Sequence, residues 1–332
     1  MFIIHSYVLA VIFCIITMIC WGSWANTQKL ATRQWSFQSY YWDYGIGVLF
    51  ISLVLAFSMG SYGHEGRSFL IDLHQASYHS ILSAFVGGVL FNLANILLVA
   101  AIDIAGMAIA FPVAIGLALV IGVIVNYVND PIGNPVLLFL GVFCVILAMI
   151  FAAISYSKLK DKTPTNMLKG LLISLIAGIL MGFFYRFVIA SMSKDFINPT
   201  AGLLTPYTAN VIFSIGLVIS SFMFNTWVMK KPFIGPKINF SEYIKGNVYI
   251  HFIGILGGII WGLGTLINLV ASGTAGAAIS YGLGQGATLI AALWGVFIWK
   301  EFKNAPKVTT PLLALMFIGY VVGLILIIIA KN

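Results

Sequence analysis

Two groups of aromatic and polar side chains recur at helical spacing within a long uncharged stretch of the sequence. From Gly246 to Trp299 the chain contains no Lys, Arg, Asp or Glu. Two trios within it are spaced i, i+4 and i+7, which places each trio on one face of a helix. The trios are Trp261, Thr265 and Asn268, and Tyr281, Gln285 and Thr288. Polar groups in hydrocarbon are costly unless a partner satisfies them, so both faces are expected to contact protein, water or a solute. We interpret the pair as half of a solute cavity.

Two tryptophans near the start of the chain are candidates for the same cavity. Trp21 and Trp24 have small polar neighbours, and their indoles can stack on a flat ring or a sugar face and hydrogen-bond its edge. The alternative is an aromatic belt at the membrane interface, where tryptophans are common. The sequence leaves both interpretations open.

Two asparagines form a further candidate group. Asn92 and Asn95 are three residues apart, so they occupy adjacent positions on one helix face. Buried amides either line a polar pathway or hold helices together. An internal repeat, described below, pairs Asn95 with Thr265, and this favours the pathway.

One acidic residue is a candidate for energy coupling. Asp43 lies about a turn inside the second predicted span, and carboxylates in membrane spans commonly mark proton relays. The alternative is an acid near a helix N-terminus, where the helix dipole favours it. We expect Asp43 to couple solute uptake to protons, with sodium coupling as the alternative.

The composition excludes a soluble protein. Of the 332 residues, 61% are hydrophobic and 8% are charged, whereas a soluble domain has about 25% charged residues. The net charge of +8 follows one set of loops and does not indicate a nucleic-acid partner. Spacings typical of metal ligands, a nucleophile elbow or a phosphate loop do not occur. The sequence therefore predicts an all-α polytopic membrane protein embedded in a lipid bilayer, with neither a catalytic residue, a metal nor a cofactor.

Ten segments are long and apolar enough to be spanning helices, each needing about 20 residues. The predicted spans are residues 7–25, 39–60, 81–101, 107–127, 135–155, 169–191, 203–224, 246–271, 276–298 and 310–330. The two longest connections, at residues 61–80 and 225–245, are predicted as non-spanning loops.

The sequence repeats itself at an interval of 170 residues. At this shift Gly88 falls on Gly258 and Asn95 on Thr265, and ten of the 35 aligned pairs from residue 87 to residue 121 are identical. The interval contains five predicted spans, an odd number, so the two halves are predicted to be inverted relative to each other. The predicted units are a first five-helix repeat at residues 1–157, a connector at 158–168, and a second repeat at 169–332.

Basic residues are concentrated in alternate loops. The loops after the odd-numbered spans hold 13 of the 17 Lys and Arg residues, and the opposite side holds three. We call the first set the lysine-rich side. Because cytoplasmic loops carry the excess of positive charge, we predict that the connector is cytoplasmic and both termini are outside. The predicted location is a cell membrane, plasma or inner.

Short motifs spread over nearly all spans resemble a known family. They are Gly22-Ser23-Trp24, Asp43-Tyr44, Gly87-Gly88 with Asn95, Asn126-Tyr127, Pro206-Tyr207-Thr208-Ala209, Gly262-Leu263-Gly264, Trp294-Gly295 and Lys300-Glu301. In this order they resemble the ureide permease family of the drug/metabolite transporter superfamily, related to bacterial glucose/ribose porters and the rhamnose–proton symporter.

The resemblance implies a fold and a function. The implied fold is ten helices in two inverted five-helix repeats, and the implied function is secondary active import of a small neutral polar solute with protons. Solutes of the family and its relatives are ureides, nucleobases and sugars, so the solute is ureide- or nucleobase-like or a monosaccharide. Plant members have a long central loop with a nucleotide-binding-like motif, whereas the connector from Ser157 to Leu168 is short and lacks it. Regulation through that loop is therefore not implied. The oligomeric state is left open.

A protein of another class could retain the same fold. The alternative function is a non-transporting membrane sensor or assembly protein. The sequence contains no segment that resembles a signalling domain, and this favours the transporter.

Overall fold

The computed structural model describes residues 1–32, 34–105, 107–159, 166–233 and 235–331, without the side chains of residues 103, 107–109 and 111. Most of the predicted connector at residues 158–168 lies outside this part of the chain. Arg33, one of the residues counted on the lysine-rich side, lies outside it as well.

The described chain is almost entirely helical. In chain order the helices are α1 (Tyr7–Ala31), α2 (Phe37–Phe57), α3 (Phe69–Gln75), α4 (Tyr78–Ala105), α5 (Met107–Asn129), α6 (Pro135–Ser157), α7 (Met167–Ser191), α8 (Pro206–Lys230), α9 (Phe240–Ile244), α10 (Val248–Ala275), α11 (Ala277–Gly284), α12 (Ala287–Leu293) and α13 (Thr309–Ile329). A π-helical turn, Trp294–Ile298, continues α12. Ten candidate membrane spans are found in the described residues, counting α11, α12 and the π-helical turn as one. The predicted fold class is confirmed.

The short helices α3 and α9 lie in the two long connections that the sequence predicted only as loops. They have seven and five residues, too few to cross a membrane. Hydropathy therefore does not detect them. α3 is held by Asp72, whose carboxylate accepts from the Arg67 guanidinium at 2.9 Å and from the backbone N–H of Thr205 at 2.7 Å.

Side-chain caps define where several spanning helices begin. The Asn134 side chain accepts hydrogen bonds from the backbone N–H groups of the first turn of α6, and Asn247 does the same for α10. Ser36 caps α2 through the N–H of Ser39. Such caps satisfy backbone donors that the helix itself leaves unpaired. These polar residues therefore set the helix starts within one or two residues of the hydropathy boundaries.

The turn between α10 and α11 consists of one glycine. Gly276 has φ +89° and its N–H donates to the carbonyl of Ser272. Only glycine adopts this backbone region without a steric penalty. The sequence predicted that the eighth span ends at residue 271, and the structure continues α10 to Ala275.

The sequence predicted the ninth span as one segment, residues 276–298. The structure contains this span but interrupts its helix. α11 ends at Gly284 and α12 begins at Ala287. At the break, the N–H of Gly286 donates to Leu283 and the N–H of Thr288 to Gln285, so bonds run to the third residue back. Glycines at this point weaken the helix.

Helix packing repeats between the two halves. α4 runs from Tyr78 to Ala105, and α10 runs from Val248 to Ala275, each end 170 residues later. α4 of the first half packs on α7 and α8 of the second half, and α10 of the second half packs on α1 and α2 of the first. In the predicted duplication, α1 corresponds to α7 and α2 to α8. This pattern is consistent with the predicted duplication.

Equivalent glycines make the closest of these contacts. A Cβ built on Gly88 would lie 2.0 Å from the carbonyl oxygen of Phe213, and a Cβ on Gly258 would lie 2.0 Å from that of Tyr44. Neither position has room for a side chain. The internal repeat therefore extends from the sequence to the backbone contacts between α4 and α8 and between α10 and α2.

The first residues of the chain fill the end of the bundle opposite the lysine-rich side. Met1 and Ile4 are buried. The N–H of Phe2 donates to Met59 at 2.8 Å, and the Thr274 hydroxyl donates to the carbonyl of Ile4. This segment thereby hydrogen-bonds to residues of both halves of the chain.

Candidate solute-binding cavity

A cavity of about 500 Å³ lies between helices of both halves. Its volume is within the range of small-molecule sites, roughly 300–1,000 Å³. Phe91 and Trp261 are buried at one end, whereas at the other end the Lys29 side chain is 43% exposed. The cavity therefore reaches solvent at the lysine-rich side. Six of the predicted site residues line it: Trp21, Trp24, Asn95, Trp261, Gln285 and Thr288.

Stacked aromatic rings form the buried end of the cavity. The Trp261 ring stacks on Phe91, with centroids 4.2 Å apart, and on Trp21, with centroids 6.1 Å apart and planes 11° from parallel. Trp21 Nε1 donates to the Thr265 hydroxyl at 3.1 Å, and that hydroxyl donates to the carbonyl of Trp261 at 3.0 Å. Thr265 thus fixes the Trp21 indole against α10. The flat wall suits stacking on a planar or sugar ring.

Uncharged polar side chains interrupt this apolar wall, among them Asn95, Gln285 and Thr288. Asn95 Nδ2 donates to the Tyr41 hydroxyl at 3.3 Å. The Thr288 hydroxyl donates to the carbonyl of Gln285 at 3.0 Å, across the break between α11 and α12. A few polar groups in an apolar pocket orient a bound solute and give specificity.

Asn268 joins helices and is not part of the cavity wall. Its Oδ1 accepts from the Tyr185 hydroxyl at 2.7 Å, and its Nδ2 donates to the carbonyl of Ser280 at 2.9 Å. These bonds connect α7, α10 and α11. The predicted spacing with Trp261 and Thr265 does place the three residues along one side of α10, but at this depth that side meets protein.

Tyr281 also contacts protein. Its hydroxyl lies 3.3 Å from the carbonyl of Ala118 and 3.2 Å from that of Met181, and donates to them. A Cβ on Gly122 would lie 2.1 Å from the Tyr281 ring, so this glycine leaves space for it. Tyr281 is therefore not part of the cavity wall, whereas Gln285 and Thr288 are.

Asn92 bonds to α8 instead of lining the cavity. Its Nδ2 donates to the Ser220 hydroxyl at 2.7 Å, and its Oδ1 accepts from the Ser221 hydroxyl at 3.3 Å. This is the helix-joining arrangement that the sequence left as the alternative. Asn95, one turn further on, is on the cavity wall.

Asp43 belongs to a separate polar cluster between α2, α9 and α10. Its carboxylate is 2% exposed; Oδ2 lies 2.7 Å from Nδ1 of His251, and Oδ1 accepts from the Tyr243 hydroxyl at 2.8 Å. Burial raises the pKa of the Tyr243 hydroxyl, so it remains a donor to the carboxylate. The Trp35 ring covers both partners, with centroids 5.6 Å from Tyr243 and 4.8 Å from His251. None of the four residues of this cluster lines the cavity.

The cavity mouth contains residues that the sequence did not single out as a site. Lys29 Nζ lies 2.5 Å from Oε1 of Glu301, and both side chains line the cavity. Glu301 follows Lys300, whose φ is +54°, and the π-helical turn before it. In the sequence, Glu301 appeared only within the family motif Lys300-Glu301. Helical periodicity does not predict that a residue after such a turn lines the cavity.

Comparison with known proteins identifies the family. The model of the family described as ureide permease matches residues 40–164 and 158–330 of this chain. The chain belongs to the ureide permease family. The resemblance stated from the sequence motifs is confirmed.

Family members from plants match along nearly the whole chain. Ureide permease 1 of Arabidopsis thaliana is 22% identical, and the match covers 97% of this chain and 97% of that protein. Ureide permease 4 of the same species is 24% identical, and the match covers 97% of this chain and 96% of that protein. The glucose uptake protein GlcU of Bacillus subtilis (strain 168) is 26% identical over 76% of this chain and 78% of its own.

A solved structure shares the fold. One crystal structure has a TM-score of 0.60 at 14% identity and covers 96% of each chain. The family and its relatives support a membrane transporter for small solutes and not an enzyme.

Proposed function

We propose that this protein is a secondary active importer of a small neutral polar solute in a cell membrane. The solute is ureide- or nucleobase-like or a monosaccharide. The observation that carries the proposal is the cavity of about 500 Å³ between the two halves, with stacked aromatic rings at its buried end and uncharged polar side chains on its wall. Aromatic faces stack on rings of all three solute classes, and amide and hydroxyl groups hydrogen-bond their edges.

The two halves supply a route for alternating access. Transporters built from inverted repeats expose one site to either side by rocking one half against the other. The cavity is open at the lysine-rich side, and the buried rings of Phe91 and Trp261 close its opposite end. With the lysine-rich side in the cytoplasm and both termini outside, this arrangement is the inward-open one.

Asp43 is the proposed site of proton coupling. Its carboxylate sits where α2 packs on α10, and α10 also carries Trp261 of the cavity wall. A change of charge at Asp43 alters its bonds to His251 and Tyr243, and so biases the packing of a helix that shapes the solute site. Sodium is the alternative coupling ion.

Ligand binding and uptake together test the proposal. Purified protein is screened by thermal shift against ureides, nucleobases and monosaccharides, because a ligand at 100 times its Kd stabilises the folded state by about 2.7 kcal/mol. Uptake of each hit is then measured in liposomes with an acidic exterior and with a protonophore.

The expected result is saturable uptake that the proton gradient increases and the protonophore abolishes. Uptake driven by a sodium gradient would mean that the coupling ion is sodium and not the proton. A ligand that binds without being transported would favour the membrane sensor, and no hit in the panel would contradict the proposed solute class.

A further inference from the structure

The cavity wall has two charged side chains in the part of the chain that the structure describes, and they pair with each other. Lys29 comes from α1 and Glu301 from the segment after the π-helical turn. Lys29 Nζ and Glu301 Oε1 are 2.5 Å apart, and the two side chains are 43% and 28% exposed. The wall therefore carries one positive and one negative charge at its mouth, with no net charge.

Each charged group has a second partner. Lys29 Nζ lies 4.5 Å from the centroid of the Trp299 ring, and Glu301 Oε2 accepts from the Tyr156 hydroxyl at 3.2 Å. A Cβ on Gly295 would lie 2.6 Å from the Tyr156 hydroxyl and 2.8 Å from Glu301 Oε2. The glycine leaves room for this arrangement, so the carboxylate is held against the wall.

The pair is placed to act on the solute more than on stability. Partly exposed ion pairs contribute little to the free energy of unfolding because water screens them. At the mouth of a narrow cavity with apolar walls, by contrast, an uncompensated charge would attract ions of opposite sign and repel those of its own sign. Each partner cancels this effect of the other.

We infer that the Lys29–Glu301 pair determines the charge selectivity of the cavity by keeping its mouth neutral. The inference deepens the proposed function, on which it rests for the neutral solute. Removal of Lys29 makes the cavity favour cations, and removal of Glu301 makes it favour anions. Removal of both restores neutrality.

A cysteine on the cavity wall reports the local potential without any transport. Ala153 lines the cavity on α6, three residues before Tyr156 and thus on the same helix face. Ala153→Cys is made in a background in which the native cysteines are replaced by Ala; these are Cys14, Cys20 and Cys144. The purified protein is treated with cationic, anionic and uncharged methanethiosulfonate reagents. Each charged rate is divided by the uncharged rate, which cancels changes in the reactivity of the thiol itself.

Lys29→Gln is expected to raise the ratio of cationic to anionic rate by roughly threefold to tenfold, and Glu301→Gln to lower it by a similar factor. The double variant should return to the parent ratio. The matched control is Lys303→Gln, an exposed lysine on the same side but off the wall, and it should not change the ratio. An unchanged uncharged rate and a single gel-filtration peak verify folding.

Equal ratios in the parent and both single variants would overturn the inference, as would shifts in the same direction. Uptake of the neutral solute by the parent is measured separately. A protein that shows the charge shifts but no uptake would contradict the proposed function alone, and one that shows uptake without the shifts would contradict this inference alone.

Discussion

Asp43 Oδ2 and His251 Nδ1 meet at 2.7 Å across the contact between α2 and α10. The carboxylate is buried, with Tyr243 as its second partner, and it lies away from the cavity wall. The proposed driving-force site and the proposed solute site are therefore different places joined by α10. The effect of a substitution on proton coupling can therefore be measured separately from the effect of a substitution on solute binding.

Asp43→Asn is expected to abolish accumulation of solute against a gradient and to preserve exchange of labelled for unlabelled solute. The amide resembles the protonated carboxylic acid in shape but does not release a proton. Both rates are measured in liposomes with an imposed proton gradient. Asp195→Asn, at an exposed loop acid, is the control and should behave as wild type. If Asp43→Asn still concentrates solute, Asp43 is not the coupling residue.

Gln285→Ala and Asn268→Ala are expected to differ, although the sequence alone placed both residues in the solute cavity. Gln285 lines the cavity, so its loss should weaken solute affinity about five- to a hundredfold if a bond worth about 1–3 kcal/mol is removed. Asn268→Ala removes one of the two partners of the buried Tyr185 hydroxyl, together with the bond to the carbonyl of Ser280, and should lower the melting temperature. Thermal unfolding and uptake are measured on both variants. Wild-type affinity in Gln285→Ala would remove that residue from the site.

Gly258→Ala is expected to destabilise the protein by about 1–3 kcal/mol, because the new Cβ would lie 2.0 Å from the Tyr44 carbonyl and α10 must move away from α2. Gly116→Ala is the matched control. Its Cβ would meet Met149 Sδ at 3.8 Å, an ordinary contact. The midpoint of thermal unfolding in detergent is compared for both. Equal midpoints would mean that the contact between α10 and α2 is looser than described.

Much of the fold could be predicted from the sequence, because a bilayer imposes simple requirements on length and apolarity. Ten spans were predicted from runs of about 20 apolar residues, and all ten correspond to candidate spans in the structure. The helices α4 and α10 begin and end 170 residues apart, which is consistent with the predicted repeat. Local backbone geometry was less accessible. The break at Gln285 and the π-helical turn depend on how α12 packs, and hydropathy does not record this.

The site was predicted less completely, since helical spacing identifies a face but not what the face contacts. Asn95 and Asn92 share one face of α4, yet Asn95 lines the cavity and Asn92 bonds to α8. The difference arises from where α8 approaches α4, a tertiary property. The charged pair at the mouth, Lys29 and Glu301, comes from segments far apart in the sequence, and nothing in their local patterns links them.

The predicted orientation can be checked by labelling from one side of intact cells. His64 and Lys237 are both exposed and lie on opposite sides of the bundle. In the background without native cysteines, an impermeant thiol reagent should label a cysteine introduced as His64→Cys and spare one introduced as Lys237→Cys, because the lysine-rich side is predicted to face the cytoplasm. Labelling after permeabilisation controls for access. The reverse pattern would invert the orientation and leave the fold unchanged.

Solute uptake by a variant with an obstructed cavity tests the central claim, that solute crosses the membrane through the space between the two halves. Ala153→Trp places an indole into the cavity, and Leu140→Trp places the same indole on an exposed position of α6 as the control. Exchange of a solute identified by thermal shift is measured in liposomes. We expect Leu140→Trp to exchange solute as the wild type does and Ala153→Trp to lose exchange while remaining folded. Undiminished exchange by Ala153→Trp would contradict transport through this cavity.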